Sequence, residues 1–323
     1  MAFPQPKRKR GRPRKNPLPF NVVSETVQPI QETNYSPTEQ AETDTSSTTK
    51  NSEFEVEDWE RELDGNLTST DLNSPDSTQI ESHFTNNLLE NSKQQTKIHI
   101  VDSEKGGAGK SFFSRTFIEY CAFKDLDVAI VDADTSNRDI AKLYDDVELA
   151  FFSDDEKKAS YADKIFDLAL SKSVVVNLPA QVYSNVTNWI KRNNLTELGK
   201  EHSISFIKWF VCTGGVDSVN FFLKSLEDLG DDITHVFVKN LGLCDEWNYI
   251  EQMPEFVAAQ DKYKFIVMEF PRFPFWERNM IDRLEITFER AVSHPEFKAV
   301  SKQRVKNYLR RIYASLAATE LIE

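Results

Sequence analysis

The chain has 323 residues, 39% of them hydrophobic, and a formal net charge of −13. No window approaches the ~18 uninterrupted apolar residues of a membrane span, and no apolar stretch near the start marks export. The cysteines, Cys121, Cys212 and Cys244, are odd in number and lack metal-ligand spacing. That argues against a disulfide scaffold or zinc site and fits a reducing, cytoplasmic compartment.

The length suits one large domain or two ordinary ones, but charge divides it into three zones. Residues 1–20 hold seven basic residues and no acid. Within this arm, Lys9-Arg10-Gly11-Arg12-Pro13-Arg14-Lys15 sets a glycine between two arginines, and Pro13 fixes the direction of exit. Such arginines can enter the narrow, electronegative minor groove of A·T-rich DNA. The core Arg10-Gly11-Arg12-Pro13 resembles an AT-hook. The plainer alternative is a nonspecific polybasic tail or a nuclear address. About seven phosphate contacts imply a log–log salt slope of about −6.

Residues 21–96 hold 16 acids and three bases and are rich in Ser, Thr, Asn and Gln. Their apolar residues keep no period, so the segment is expected to be a disordered acidic linker. Phe54, Val56, Trp59 and Leu63 lie in an acidic run at 53–64. It reads as solvated linker or as a short helix formed on a partner. The linker's negative charge is also expected to compete for the basic arm.

From residue 97 onward short β-rich runs alternate with longer helical ones. Strands are predicted at 97–101, 128–132, 174–178, 204–212, 235–240 and 265–270. Helical spacing marks Phe113, Phe117 and Cys121, then Val182, Val186, Trp189 and Ile190. Further helices are predicted at 216–229, 247–259, 277–291 and 301–319. Strands such as Val174-Val175-Val176 read as buried on both faces, as in a parallel sheet. The alternation predicts a doubly wound α/β domain over 97–323, mainly parallel, with helices on both faces. In that architecture ligands bind at the carboxyl ends of the strands.

The first strand runs into Glu104-Lys105-Gly106-Gly107-Ala108-Gly109-Lys110-Ser111-Phe112, and a helix follows. Glycines allow close backbone approach, and successive N–H groups at a helix start face an anion. Lys110 would reach the β and γ phosphates, and Ser111 would ligate Mg²⁺. The usual P-loop has glycine at the position of Glu104. The variant Lys-Gly-Gly-Ala-Gly-Lys-Ser closely resembles the deviant Walker A box of the ParA/MinD family, in which the extra lysine, here Lys105, is the signature.

Further motifs resemble that family. Ile130-Val131-Asp132-Ala133-Asp134 is similar to its Asp-x-Asp motif. The resemblance makes Asp134 the residue that positions the attacking water and Asp132 a neighbour on the Mg²⁺ side. Val176-Asn177-Leu178-Pro179-Ala180 carries Asn177 where the family has the Walker B acid, which implies weaker Mg²⁺ binding and slow hydrolysis. The stretch from Leu178 to Ile190 looks most like the StbB/MobD-like branch found with plasmid stability and mobilisation genes. The resemblance assigns the base to Asn240, with Pro271 in the enclosing loop.

The family resemblance implies ATP and Mg²⁺ as ligands. It also implies a nucleotide-sandwich homodimer in which Lys105 crosses to the partner's phosphates. The implied role is a switch on plasmid DNA, with a partition or mobilisation protein as partner. A nucleotide-binding scaffold with little hydrolysis, or a small-molecule ligase of the same superfamily, stands as the alternative. MinD proteins end in a membrane helix. Here the amphipathic stretch at 305–316 is expected instead to pack on the sheet. The run Phe270-Pro271-Arg272-Phe273-Pro274-Phe275-Trp276 is expected to serve the core, or to cover the base or a partner surface.

Overall fold

The computed structural model describes residues 95–103, 105–155 and 157–323. The basic arm, the aromatic run at 54–63 and the acidic linker up to residue 94 lie outside the described residues; Thr96, expected to end the disordered linker, is a buried residue of the first strand. Seven strands form one sheet in the order β3-β2-β4-β1-β5-β6-β7, and every pairing is parallel. They are β1 Thr96–Asp102, β2 Val128–Asp132, β3 Val147–Leu149, β4 Ser173–Asn177, β5 Ile204–Cys212, β6 Thr234–Asn240 and β7 Ile266–Phe270. The helices are α1 Lys110–Phe123, α2 Asp163–Ala169, α3 Tyr183–Arg192, α4 Leu195–His202 and α5 Val216–Leu229. They continue with α6 Asn248–Glu251, α7 Pro254–Tyr263, α8 Phe275–Leu284, α9 Phe288–Ser293 and α10 Ala299–Ala317.

Alternate side chains along each strand feed opposite faces of the sheet. Val175, Trp209, Val211, Val236 and Val238 pack with α1 and the C-terminal helices, through Phe113, Phe288, Tyr308 and Ile312. Val174 and Val176 pack on the other face with Ile165 and Trp189. Phe210 and Phe237 do the same with Phe222 and Phe256 of α5 and α7. Helices therefore cover both faces, and the central strands are mostly apolar because each is buried twice. α10 buries Val305, Tyr308, Ile312 and Leu316 at helical spacing, so it packs on the sheet as expected. Among the described residues no helix is long and apolar enough to cross a membrane.

Five elements differ from the prediction. β3 is a short edge strand, half-buried, at the sheet's end. Its three residues are too few to show alternation. The predicted helix at 247–259 is two, because Pro254 starts α7 where a missing N–H costs nothing. The one at 277–291 breaks at Glu285, whose φ is 48°, and α9 restarts behind a Thr287 cap that accepts from Arg290 N at 3.2 Å. The short α2 and α4 also had no predicted counterpart.

α9 has a second cap from a distance. Glu119 of α1 accepts from Phe288 N at 2.5 Å and Glu289 N at 3.0 Å. Burial outweighs these donors and the nearby Arg115 and Tyr144, and pushes the carboxyl up to about 7. The folded state therefore holds this proton more tightly than the unfolded chain. The resulting stability is full below the ordinary carboxylate range and is lost as pH rises through about 7. Denaturant midpoints of wild type are expected to fall between pH 5 and 8, and Glu119→Gln should flatten that fall; an equal slope in both would refute the assignment.

Candidate functional site

The strand order reverses around β1, whose neighbours are β4 and β5. β1 connects to β2 on one side, and β4 connects to β5 on the other, which opens a crevice at the carboxyl ends. The glycine loop lies there, between Asp102 and α1. Gly107 and Gly109 have φ of 76° and 98°, a region that side chains other than glycine rarely adopt. At Gly109 a Cβ would also stand 2.8 Å from Asn240 Nδ2. Glycine is thus required twice at this position, for its backbone angle and for the space.

Lys110 is buried, and its Nζ donates back to the carbonyls of Ser103 at 3.2 Å and Lys105 at 3.4 Å. The loop and the first turn of α1 line a cavity of about 720 Å³, together with Ser111, Asp134 and Pro179 to Gln181. A cation, a helix start and a carboxylate therefore converge on one space. This donor set can hold a polyphosphate with its counter-ion. Among the described residues no cluster of three His, Cys, Asp or Glu side chains could hold a metal alone. Mg²⁺ needs none: it is commonly held by one or two protein oxygens, waters and the phosphates themselves. Ser111 and Asp134 fit that role.

The carboxyl ends of β2 and β4 meet in register at Asp132 and Asn177. Asn177 Nδ2 donates to Asp132 Oδ1 at 3.0 Å, and Ser114 donates to Asn177 Oδ1 at 3.0 Å. Asp132 also accepts from Asp134 N at 3.2 Å, Ile140 N at 3.2 Å and Ala141 N at 3.3 Å. Burial raises its pKa despite these donors. Asp132 thus shapes the 134–141 loop. Asp134 heads that loop, half-buried, and accepts from Ser136 Oγ at 2.7 Å and Asn137 N at 3.1 Å.

Asn240, at the end of β6, donates from Nδ2 to Ala108 O at 2.8 Å and accepts from Gly242 N at 2.9 Å. It pins the glycine loop to the end of β6, two strands away from β1 in the sheet. With Pro271 it lines a second, smaller cavity of about 110 Å³. Lys105 turns away from both cavities. Its Nζ pairs with Asp217 Oδ2 at 2.7 Å, both side chains being substantially exposed, and that bond draws the Asp217 carboxyl below its usual range. Asp217 sits in the first turn of α5, more than a hundred residues away in sequence. His99 and His235 are core residues, pushed down to about 3 by burial, and are held neutral.

Of the residues the sequence singles out, Gly106 to Phe112 and Asp134 line the larger cavity, and Asn240 and Pro271 the smaller one. Lys105 pairs with Asp217 instead, and Asp132 and Asn177, expected beside Mg²⁺, line neither cavity and are bonded to each other. Sequence reading missed Asp217, Arg115 and Arg278, which have no motif of their own. The basic residues from Lys9 to Lys15 lie outside the described residues.

A parallel seven-stranded sheet with this loop after its central strand is the architecture of a P-loop NTPase. No family model matches the chain. Protein TraL of Escherichia coli is 23% identical over 240 residues, which cover 70% of this chain and 99% of TraL. The MinD cell division protein of Aquifex aeolicus superposes with a TM-score of 0.40 at 15% identity, over 68% of this chain and 97% of that one. A nucleotide-binding protein from Archaeoglobus fulgidus, in complex with ADP, gives 0.37 at 13% identity, over 59% and 86%.

Proposed function

We propose that this chain is an ATP-dependent dimerisation switch with slow hydrolysis, acting on plasmid DNA in partition, stability or mobilisation. The observation that carries the reading is the division of labour between two lysines. Lys110 faces the loop's own carbonyls, where a bound phosphate would draw it. Lys105 stands at the exposed rim, held only by a solvent-facing pair that is worth little and is easily exchanged. A second triphosphate brought up by another copy would offer Lys105 a stronger anion than Asp217 does. Release of the γ phosphate would remove that attraction and loosen the dimer.

ATP and Mg²⁺ are the ligands in this reading, with Lys105, Lys110 and Asp134 as the working groups. The basic arm supplies the DNA contact, and a partition or mobilisation protein is the expected partner. The setting is cytoplasmic, at the nucleoid or plasmid. A second reading, a nucleotide-binding scaffold with little turnover, is favoured by one feature. Asn177 brings no charge to the end of β4, and its amide is already committed to Asp132 and Ser114.

Sedimentation of wild type and Lys105→Ala with Mg–ATP, with Mg–ADP and without nucleotide separates these readings. Wild type is expected to dimerise with ATP alone, and the variant to stay monomeric. A nucleotide-independent state of wild type would overturn the switch. Dimers formed without phosphate release would favour the scaffold.

A further inference from the structure

We infer that the first turn of α8 is a clamp over the nucleotide: Phe275 stacks on the base, and Arg278 contacts the phosphates beside it. This rests on the nucleotide reading above and adds residues that the motifs do not reach. Phe275 and Arg278 stand three apart on α8, so they share a face of the helix.

Phe275 is 73% exposed, the most open large hydrophobic among the described residues. It nevertheless lines the smaller cavity, together with Leu243, which is 51% exposed, and the Asn240 amide. Apolar walls left in water around a hydrogen-bonding amide suit a flat heterocycle, which buries its faces and pairs its edge. Asn240 retains that capacity. Its Nδ2 gives one hydrogen to Ala108 and its Oδ1 one lone pair to Gly242, so one of each remains. A donor beside an acceptor matches the N6/N7 edge of adenine. The glycines on either side keep the amide open. A Cβ at Gly109 would stand 2.8 Å from it, and one at Gly242 would stand 3.0 Å away.

Arg278 lines both cavities, so it marks where they join. Its guanidinium carbon lies 4.8 Å from the ring centroid of Phe112, in the first turn of α1, whose N–H groups face the phosphate site. Its tether is weak. Asp282 Oδ2 is 3.7 Å away, while Asp282 Oδ1 holds Arg115 at 2.7 Å. A half-exposed planar fork, stacked on a ring beside a phosphate site, is placed to take a phosphate oxygen pair.

The test is calorimetric titration of the full-length protein with adenosine, AMP and ADP. Phe275→Ala is expected to weaken all three about tenfold, the scale of a lost base–aromatic stack. Arg278→Ala should leave adenosine nearly unchanged and weaken AMP and ADP about tenfold, with Arg278→Lys recovering only part of that loss. Equal losses for adenosine and ADP in the arginine variant would overturn the phosphate contact. Wild-type affinities in both variants would overturn the clamp and leave the nucleotide site standing. A wild type that binds none of the three ligands would overturn both. Phe275 is largely exposed and Arg278 about half exposed, so thermal unfolding midpoints should stay close to wild type.

Discussion

Lys208→Ala is expected to destabilise the protein by about 3–5 kcal/mol, the scale of leaving one partner of a buried ion pair uncompensated. Lys208 Nζ of β5 lies 2.9 Å from Asp102 Oδ2 of β1, with side-chain exposures of 0% and 2%. The approach is off the axis of a hydrogen bond, and neither atom has another hydrogen-bond partner. Further support comes from the Tyr183 and Phe210 rings, 4.8 Å and 6.0 Å from the ammonium. Tyr183 is itself anchored to Asp228 at 2.6 Å. Against a typical total of about 5–15 kcal/mol, the loss removes about a fifth or more of the stability. Guanidinium midpoints measure it.

The pair is a poor choice for stability alone. Replacing both groups by apolar side chains of similar volume is often neutral or stabilising by about 1–4 kcal/mol. Asp102→Leu with Lys208→Met should therefore recover most of what the single change loses. Asp102 precedes Ser103, whose carbonyl receives Lys110, and β5 leads toward Asp217, which receives Lys105. If the double variant folds well but binds ADP weakly, the pair sets the register of the two strand ends. If the single variant is as stable as wild type, the burial argument is wrong.

The second large effect belongs to Asn177→Asp. Asn177 donates to Asp132 at 3.0 Å, and both side chains are almost wholly buried. An ionised Asp at 177 has no hydrogen to give and sets two carboxylates in contact. They cannot both ionise cheaply, so the pair retains a proton that the unfolded chain would release. Without divalent metal at pH 8 the variant is expected to lose about 2–3 kcal/mol, the scale of a hydrogen bond to a charged group. The sign with pH follows from the raised folded pKa: stability is regained as pH falls and lost again as pH rises. Mg²⁺ should also restore it by binding the folded state, while the nucleotide-free wild type should respond little. If the absent charge limits turnover, the variant will also release phosphate faster under Mg–ATP. A variant as stable as wild type at pH 8 in chelator would refute the Asn177–Asp132 hydrogen bond as a support of the fold.

Much of this architecture was legible in the sequence because it is local. Val174 to Val176 had to be a doubly buried strand, and Phe113, Phe117 and Cys121 had to share a helix face. The loop from Gly106 to Ser111 carries its own geometry in consecutive residues. Gly107 and Gly109 take positive φ as a tight phosphate turn demands. The amphipathic stretch at 305–316 likewise declared its buried face. Where hydrophobic period was weak, as in the three residues of β3 or across Glu285, the pattern could not place the element ends.

What the sequence determined by itself was therefore the six long strands, the main helices between them, the glycine-rich loop and the charge difference between arm and body. The tertiary structure decided which distant residues meet. The parallel sheet brings Asn177 level with Asp132 and sets Asn240 against Ala108. It leaves Lys105 to Asp217 and lays Arg278 over Phe112. No spacing rule contains such pairs, because each joins the ends of elements whose separation along the chain is set by intervening helices. Only the crossing of those helices over the sheet fixes their distance, and with it whether a side chain is committed to a partner or open to a ligand.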